Sequence, residues 1–143
     1  MEGLPKHVNN SDQGDGKGCP MSCGLGFFST QGWTPFPFQN ATWTHFDGGG
    51  DGLVNAPTGS GKTYSCLVPA VACGGEAGGL RVLWIAPIRA LAKEILVSAE
   101  RLLDYHDRGW TVEVRTGDTP SSQKQRQDRR LPEVLITTPE SLH

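Results

Sequence analysis

No stretch of this sequence is long and apolar enough to cross a membrane as a helix. The N-terminus lacks the apolar run of a signal peptide and carries Glu2, Asp12 and Asp15 instead. Together these features predict a cytoplasmic protein with no membrane partner. Cysteine is scarce: Cys19, Cys23, Cys66 and Cys73 are the four in the chain. Cys19 and Cys23 stand in Cys-Pro-Met-Ser-Cys, but a metal site needs further ligands, and the nearest histidines are His7 and His45. They read as free thiols of a reducing compartment. Excess positive charge is missing too. The net charge is -2, so any polyanionic partner must be held by local groups.

Apolar residues are sparse overall, at 36%, and unevenly placed. Residues 1–26 hold almost no large apolar side chains and are rich in Gly, Asn, Ser and Asp; they read as a disordered tail. From Phe27 onward the chain reads as one globular unit, and 143 residues suffice for a single domain with a real core. Seven aromatic residues crowd into Phe27–Phe46, with a short helix expected over 39–46 and a turn at Gly48–Gly52. Strand and helix signals then alternate. Strands are expected at 52–56, 81–86, 111–115 and 133–137, and helices at 61–71, 88–106 and 121–129. Leu91, Ile95, Leu96, Ala99, Leu102 and Leu103 set the apolar stripe of the long helix. Pro69 is expected to kink the helix it lies in. Trp84 is expected in the core. Pro139 opens a last helix that is cut off at His143, so the chain reads as truncated. Such alternation predicts an α/β fold, a parallel sheet with helices on both faces.

Ala56-Pro-Thr-Gly-Ser-Gly-Lys-Thr63 follows an expected strand and opens an expected helix. Gly59 and Gly61 permit the tight turn that aims backbone N–H groups, including those of Thr58 and Ser60, at phosphate oxygens. The N-terminal end of the helix adds its positive pole. Lys62 reaches the β- and γ-phosphates, the Thr63 hydroxyl is placed for Mg²⁺, and Tyr64 follows in the same helical turn. The motif therefore points to a nucleoside triphosphate. Upstream, Gln39 in Pro35-Phe-Pro-Phe-Gln39 offers the donors and acceptor that suit adenine, with Phe38 as an aromatic neighbour. On local physics an equal alternative stands: the aromatics pack on the sheet and Gln39 caps a helix.

From about Gly32 to His143 the chain resembles the first RecA-like domain of a superfamily 2 helicase of the DEAD/DExH type. Pro35 to Gln39 looks like the Q motif, and Ala56 to Thr63 like motif I. Ala86-Pro-Ile-Arg-Ala-Leu91 resembles motif Ia, and Thr116-Gly-Asp118 the short motif after the third strand. Thr137-Thr-Pro-Glu-Ser-Leu142 resembles motif Ib. Gly32 to Trp43, Ile88 to Lys93 and the ending Thr138 to His143 are further similar to Lhr-type helicases, above all the bacterial ligase-associated DExH-box helicase. The resemblance implies ATP and Mg²⁺ as cofactors and movement on single-stranded DNA in repair, with RNA or a hybrid as other substrates. It also implies a second RecA-like domain and, as possible partners, the DNA ligase and nuclease of a repair operon. Residues 27–143 would be the first part of helicase domain 1. The Asp-Glu pair of motif II and the arginine finger would lie beyond His143, so residues 1–143 alone are expected to hydrolyse ATP poorly.

The resemblance also implies a strand path along Pro87, Arg89, Ala90, Gly117, Thr138, Pro139 and Glu140. Arg89 at a helix start and Thr138 before Pro139 are chemically suited to phosphates. The basic run of Arg115, Lys124, Arg126, Arg129 and Arg130 reads as a solvated helix face, diluted by Asp118 and Asp128. Two alternatives remain at this level. A P-loop kinase is permitted by Lys62 and Thr63, though it has no use for the motifs at the later strand ends. A non-catalytic nucleotide- or strand-binding module is the other.

Overall fold

The structure, a computed structural model, describes residues 18–142. Of the segment expected to be a tail, residues 1–17 lie outside the described residues. The remainder of that expectation is corrected. Pro20–Gln31 forms a helix, α1, with proline in its first turn and Gly32 closing it at φ 71°. Its buried residues include Cys23, Phe27 and Phe28, which fall on one helical face. Gly24 lets another part of the chain approach this helix closely: a Cβ there would come within 2.5 Å of the Trp43 ring.

Helix α2 (Pro37–Asp47) buries Gln39 and Trp43. Helix α3 (Lys62–Ala72) runs through Pro69 and buries Leu67, Val68 and Val71. The three helices pack on one another. Trp43 is fully buried and donates its indole N–H to the Tyr64 carbonyl at 3.3 Å. Burying an aromatic side chain of this size is worth about 2–3 kcal/mol.

The strand expected at 52–56 is not formed; that stretch carries no ladder, and Leu53 is 93% exposed. A strand needs a bonded neighbour, and none of the described residues supplies one here. The sheet has three parallel strands, β1 (Val82–Ile85), β2 (Val112–Arg115) and β3 (Val134–Thr137), in the order β1-β3-β2. All four residues of the central strand β3 are buried, as a parallel strand covered on both faces requires. In β1 Val82 and Trp84 pack on the core, Trp84 as expected, while Leu83 and Ile85 face outward at 46% and 50% exposure.

Helix α4 (Arg89–His106) lies against β2, β3 and α3 through Ala92, Ile95, Ala99, Leu102 and Leu103. Leu91, counted in its apolar stripe, is instead 37% exposed. Helix α5 (Ser121–Arg129) is tied to β2 by Gln127, whose amide donates to Glu113 and to the Val114 carbonyl. A 3₁₀ turn, Pro139–Ser141, follows β3. Because the strands are parallel and Ile85, Thr137 and Arg115 share one register level, the turns that leave them emerge at a single edge of the sheet.

Candidate nucleotide and nucleic-acid site

The phosphate loop is built as its glycines demand. Gly59 and Gly61 take φ 78° and 85°, the left-handed region that other residues enter only with strain. Gly61 is also the N-cap of α3, so the first N–H groups of that helix open onto the loop. Lys62 Nζ donates to the carbonyls of Ala56 and Pro57 at 2.5 and 2.9 Å, and Ser60 Oγ donates to Pro57 O. Thr58 is exposed and Thr63 half-buried at the helix start.

Beside the loop lies an open cavity of about 480 Å³. Gln39, Gly59, Ser60, Gly61 and Tyr64 line it with Phe28, Gly32, Trp33, Thr34 and Phe36. The expected phosphate and base ends of a nucleotide site are thus brought into one concavity. Phe38 is half-buried and does not line the cavity; it stacks on Phe36, centroids 6.1 Å apart, and Phe36 is the ring that faces the space. Trp33 forms another wall. It packs against Phe28 and Tyr64 at 5.6 Å each, and the Arg101 guanidinium lies 5.8 Å from its ring centre. The aromatic crowding from Phe27 to Phe46 was the sequence signal for this wall, but it could not say which rings face inward.

Gln39 is 1% exposed, and both ends of its amide are engaged. Its Oε1 accepts the Phe36 N–H at 2.8 Å, and its Nε2 donates to the Gly61 carbonyl at 3.0 Å. Of the two alternatives left open for this residue, these bonds show the cap. Gln39 closes the start of α2 and ties that start to the phosphate loop, within reach of the cavity.

The residues expected along a strand path gather at the edge of the sheet where the strands end. Arg89 opens α4 after β1, Gly117 follows β2, and Thr138 follows β3. Arg89 pairs with Asp118 at 2.6 Å, with both side chains more than half exposed. Pro87, Ala90, Gly117, Pro139 and Glu140 are exposed. Thr138 is not: it is 1% exposed, and its hydroxyl lies 3.4 Å from Ser141 Oγ. The Glu140 carboxyl is held below the usual carboxylate range by its own backbone N–H, the Thr138 hydroxyl and the charge of Arg89.

The cysteines are placed away from this chemistry. Cys23 Sγ lies 2.7 Å from His106 Nε2. Burial pushes the thiol up to about 12, against the opposing charge of Arg108. Burial, helped by Arg108, also holds His106 below its usual value. Both groups stay neutral near pH 7, so the pair is not an activated nucleophile. Among the described residues no group of His, Cys, Asp or Glu is placed to hold a metal, and no helix could cross a membrane.

A phosphate loop at the head of a helix, beside a parallel sheet whose strand ends gather exposed and cationic loop residues, defines a P-loop nucleotide-binding domain of the RecA-like kind. Residues 36–143 match the DEAD/DEAH box helicase family, and the chain belongs to that family. This sets aside the kinase alternative. The chain is 36% identical over 131 residues to the Lhr helicase/probable uracil glycosylase of Mycolicibacterium smegmatis, covering 81% of this chain and 9% of that protein. It is 36% identical over 105 residues to the DEAD-box ATP-dependent RNA helicase 26 of Oryza sativa subsp. japonica, covering 71% of this chain and 19% of that protein. The structure of the Mycobacterium smegmatis helicase Lhr bound to ssDNA and AMP-PNP superposes with a TM-score of 0.70 at 36% identity, covering 85% of this chain and 17% of that chain. The chain thus spans less than a fifth of these relatives.

Proposed function

We propose that the protein to which this domain belongs is an ATP-driven helicase or translocase acting on single-stranded DNA. One observation carries the reading: a helix headed by a phosphate loop with its own cavity shares one hydrophobic core with a small sheet that presents three exposed strand-end loops. In this reading the Lys62 ammonium exchanges the Ala56 and Pro57 carbonyls for phosphate oxygens. Backbone N–H groups from Thr58 to Thr63 cradle the same phosphates, and Thr63 offers its hydroxyl to Mg²⁺. Trp33 and Phe36 flank the base, and Gln39 reads adenine with the amide hydrogen that Gly61 leaves free.

On the other side, Arg89 and the exposed turns at Pro87–Ala90, Gly117 and Pro139 take the strand, with Arg89 and backbone N–H groups meeting its phosphates and the Glu140 carboxylate marking the edge of the path. The Arg89–Asp118 pair is exposed and worth no more than about 1 kcal/mol, so a phosphate displaces Asp118 at little cost. Thr138 acts here through its backbone and by shaping the turn, because its side chain is buried. The two sites communicate through α4, β3 and the phosphate-loop helix, which pack on one another. The setting we infer is DNA repair in the cytoplasm, with a second RecA-like domain completing the motor and a ligase and a nuclease as partners. An RNA strand is the second reading, favoured by the likeness to the rice RNA helicase.

The test is hydrolysis of ATP by the intact protein to which this domain belongs, with and without strands. Single-stranded DNA should stimulate the rate, and more than RNA of the same length. Equal rates with and without any strand would remove the motor reading. Stimulation by RNA alone would move the substrate.

A further inference from the structure

The basic run on and around α5 separates into paired and unpaired cations once it is folded. Arg115 pairs with Asp128 at 2.6 Å, Arg126 with Glu113 at 2.8 Å, and nearby Arg89 with Asp118. Lys124 is different. It is half-buried, and among the described residues no carboxylate stands within ion-pair distance of it. Its ammonium makes one bond, to the Gly117 carbonyl at 3.5 Å, the outer limit of such a contact. Its backbone carbonyl accepts from Arg115, which fixes this point of α5 against β2.

Lys124 also lines a cavity of about 290 Å³ between the turn after β2 and the turn after β3, with Arg115, Gly117, Glu140 and Ser141. Gly117 and Glu140 are two of the strand-path residues. We infer that Lys124 is a phosphate-binding residue of that path, holding one phosphodiester of a single strand where it passes between these two turns. This rests on the strand-binding reading above and extends it to a residue whose sequence context marked it as mere surface. An ammonium held only by one long carbonyl contact gains by meeting an anion, whereas each paired arginine must first give up a carboxylate. Glu140 forms the opposite wall and repels a phosphate, which confines the anion to the Lys124 and Gly117 side. The contact carries no base information, so it positions the strand without selecting its sequence.

The test measures binding of the full chain to a labelled single-stranded oligonucleotide by fluorescence anisotropy across a salt series. Lys124→Gln should lower the slope of log affinity against log salt by roughly 0.7, the value of one single-strand phosphate contact. At moderate salt it should weaken binding by roughly 3- to 10-fold, equally for different sequences. Lys124→Arg should restore the slope, and nucleotide affinity and melting temperature should stay at the wild-type values. Arg129→Gln, which removes an exposed cation from the same helix, should leave the slope unchanged. A wild-type slope in Lys124→Gln would overturn the inference, as would an equal fall in Arg129→Gln, which would mean bulk charge alone. A wild-type protein that binds no strand would remove the strand reading itself and this inference with it.

Discussion

Replacing Gln39 probes the junction on which the nucleotide site depends. Its side chain makes two hydrogen bonds from a position 1% exposed, to Phe36 N and Gly61 O. Gln39→Ala removes both. A typical buried hydrogen bond contributes about 1 kcal/mol, and a buried group left unpaired costs about 1–3 kcal/mol. The Phe36 N–H can still be reached by water, and the Gly61 carbonyl keeps the Ser65 N–H at 3.2 Å, so the loss is that of the two hydrogen bonds, about 2 kcal/mol. Part of that loss appears as lower stability, and the rest as a phosphate loop no longer held in place. If half falls on the loop, triphosphate affinity drops by about fivefold. ATP, GTP and inorganic tripolyphosphate should be titrated against both proteins by calorimetry. All three should weaken, and ATP most, because it also loses the contact to adenine. Tripolyphosphate binding that is unchanged while ATP weakens would refute the bracing role. Equal losses for ATP and GTP would refute adenine reading and leave the brace.

Two further perturbations test the fold around the site. Glu133 is 3% exposed and accepts from Gly78 N, Thr111 N and Thr111 Oγ1, clasping two loops at the start of the sheet. Burial alone would raise its pKa, but these bonds outweigh it and hold it down, so its stabilising contribution persists at neutral pH and is lost as pH falls through the folded-state value. Glu133→Ala should cost about 2–3 kcal/mol in urea unfolding at neutral pH; a midpoint at the wild-type position would contradict the clasp. For Cys23 and His106 the signs run oppositely at the two ends of the pH scale. The unfolded chain protonates His106 first, so stability should fall below about pH 6.5. The unfolded chain ionises Cys23 first, so stability should fall again above about pH 9. His106→Gln should flatten the acid limb of a melting-temperature profile while leaving the alkaline limb; an unchanged acid limb would place that loss elsewhere.

The phosphate loop was legible because its function needs special backbone geometry, and special geometry needs glycine at fixed places. The alternation from α3 to β3 was legible because each element buries one face and repeats its apolar residues with the matching period. Helix α1 was not. Its first residues were counted with the polar, glycine-rich segment, and only the fold reveals that Gly24 is small because Trp43 sits on it. The stretch 52–56 has the composition of a strand, but composition cannot supply the neighbour that a strand requires. Phe38 was named as an aromatic neighbour of Gln39; Phe36, the N-cap of α2, lines the cavity and Phe38 does not. Lys124 was hidden for a similar reason. It lies in a polar helix with glutamine on either side along the chain, while its neighbours in space, Gly117 and Glu140, come from two other turns.

The central claim is that the loop at Lys62 and the strand-end loops at Arg89, Gly117 and Thr138 belong to one motor. Linkage tests it most directly, since a nucleotide that favours one state of the motor must change strand affinity. The affinity of the full chain for single-stranded DNA should be measured with and without AMP-PNP, in the wild type and in Lys62→Ala. AMP-PNP should change strand affinity several-fold in the wild type and leave it unchanged in Lys62→Ala, which should still bind the strand. Strand affinity indifferent to AMP-PNP in the wild type would contradict the account.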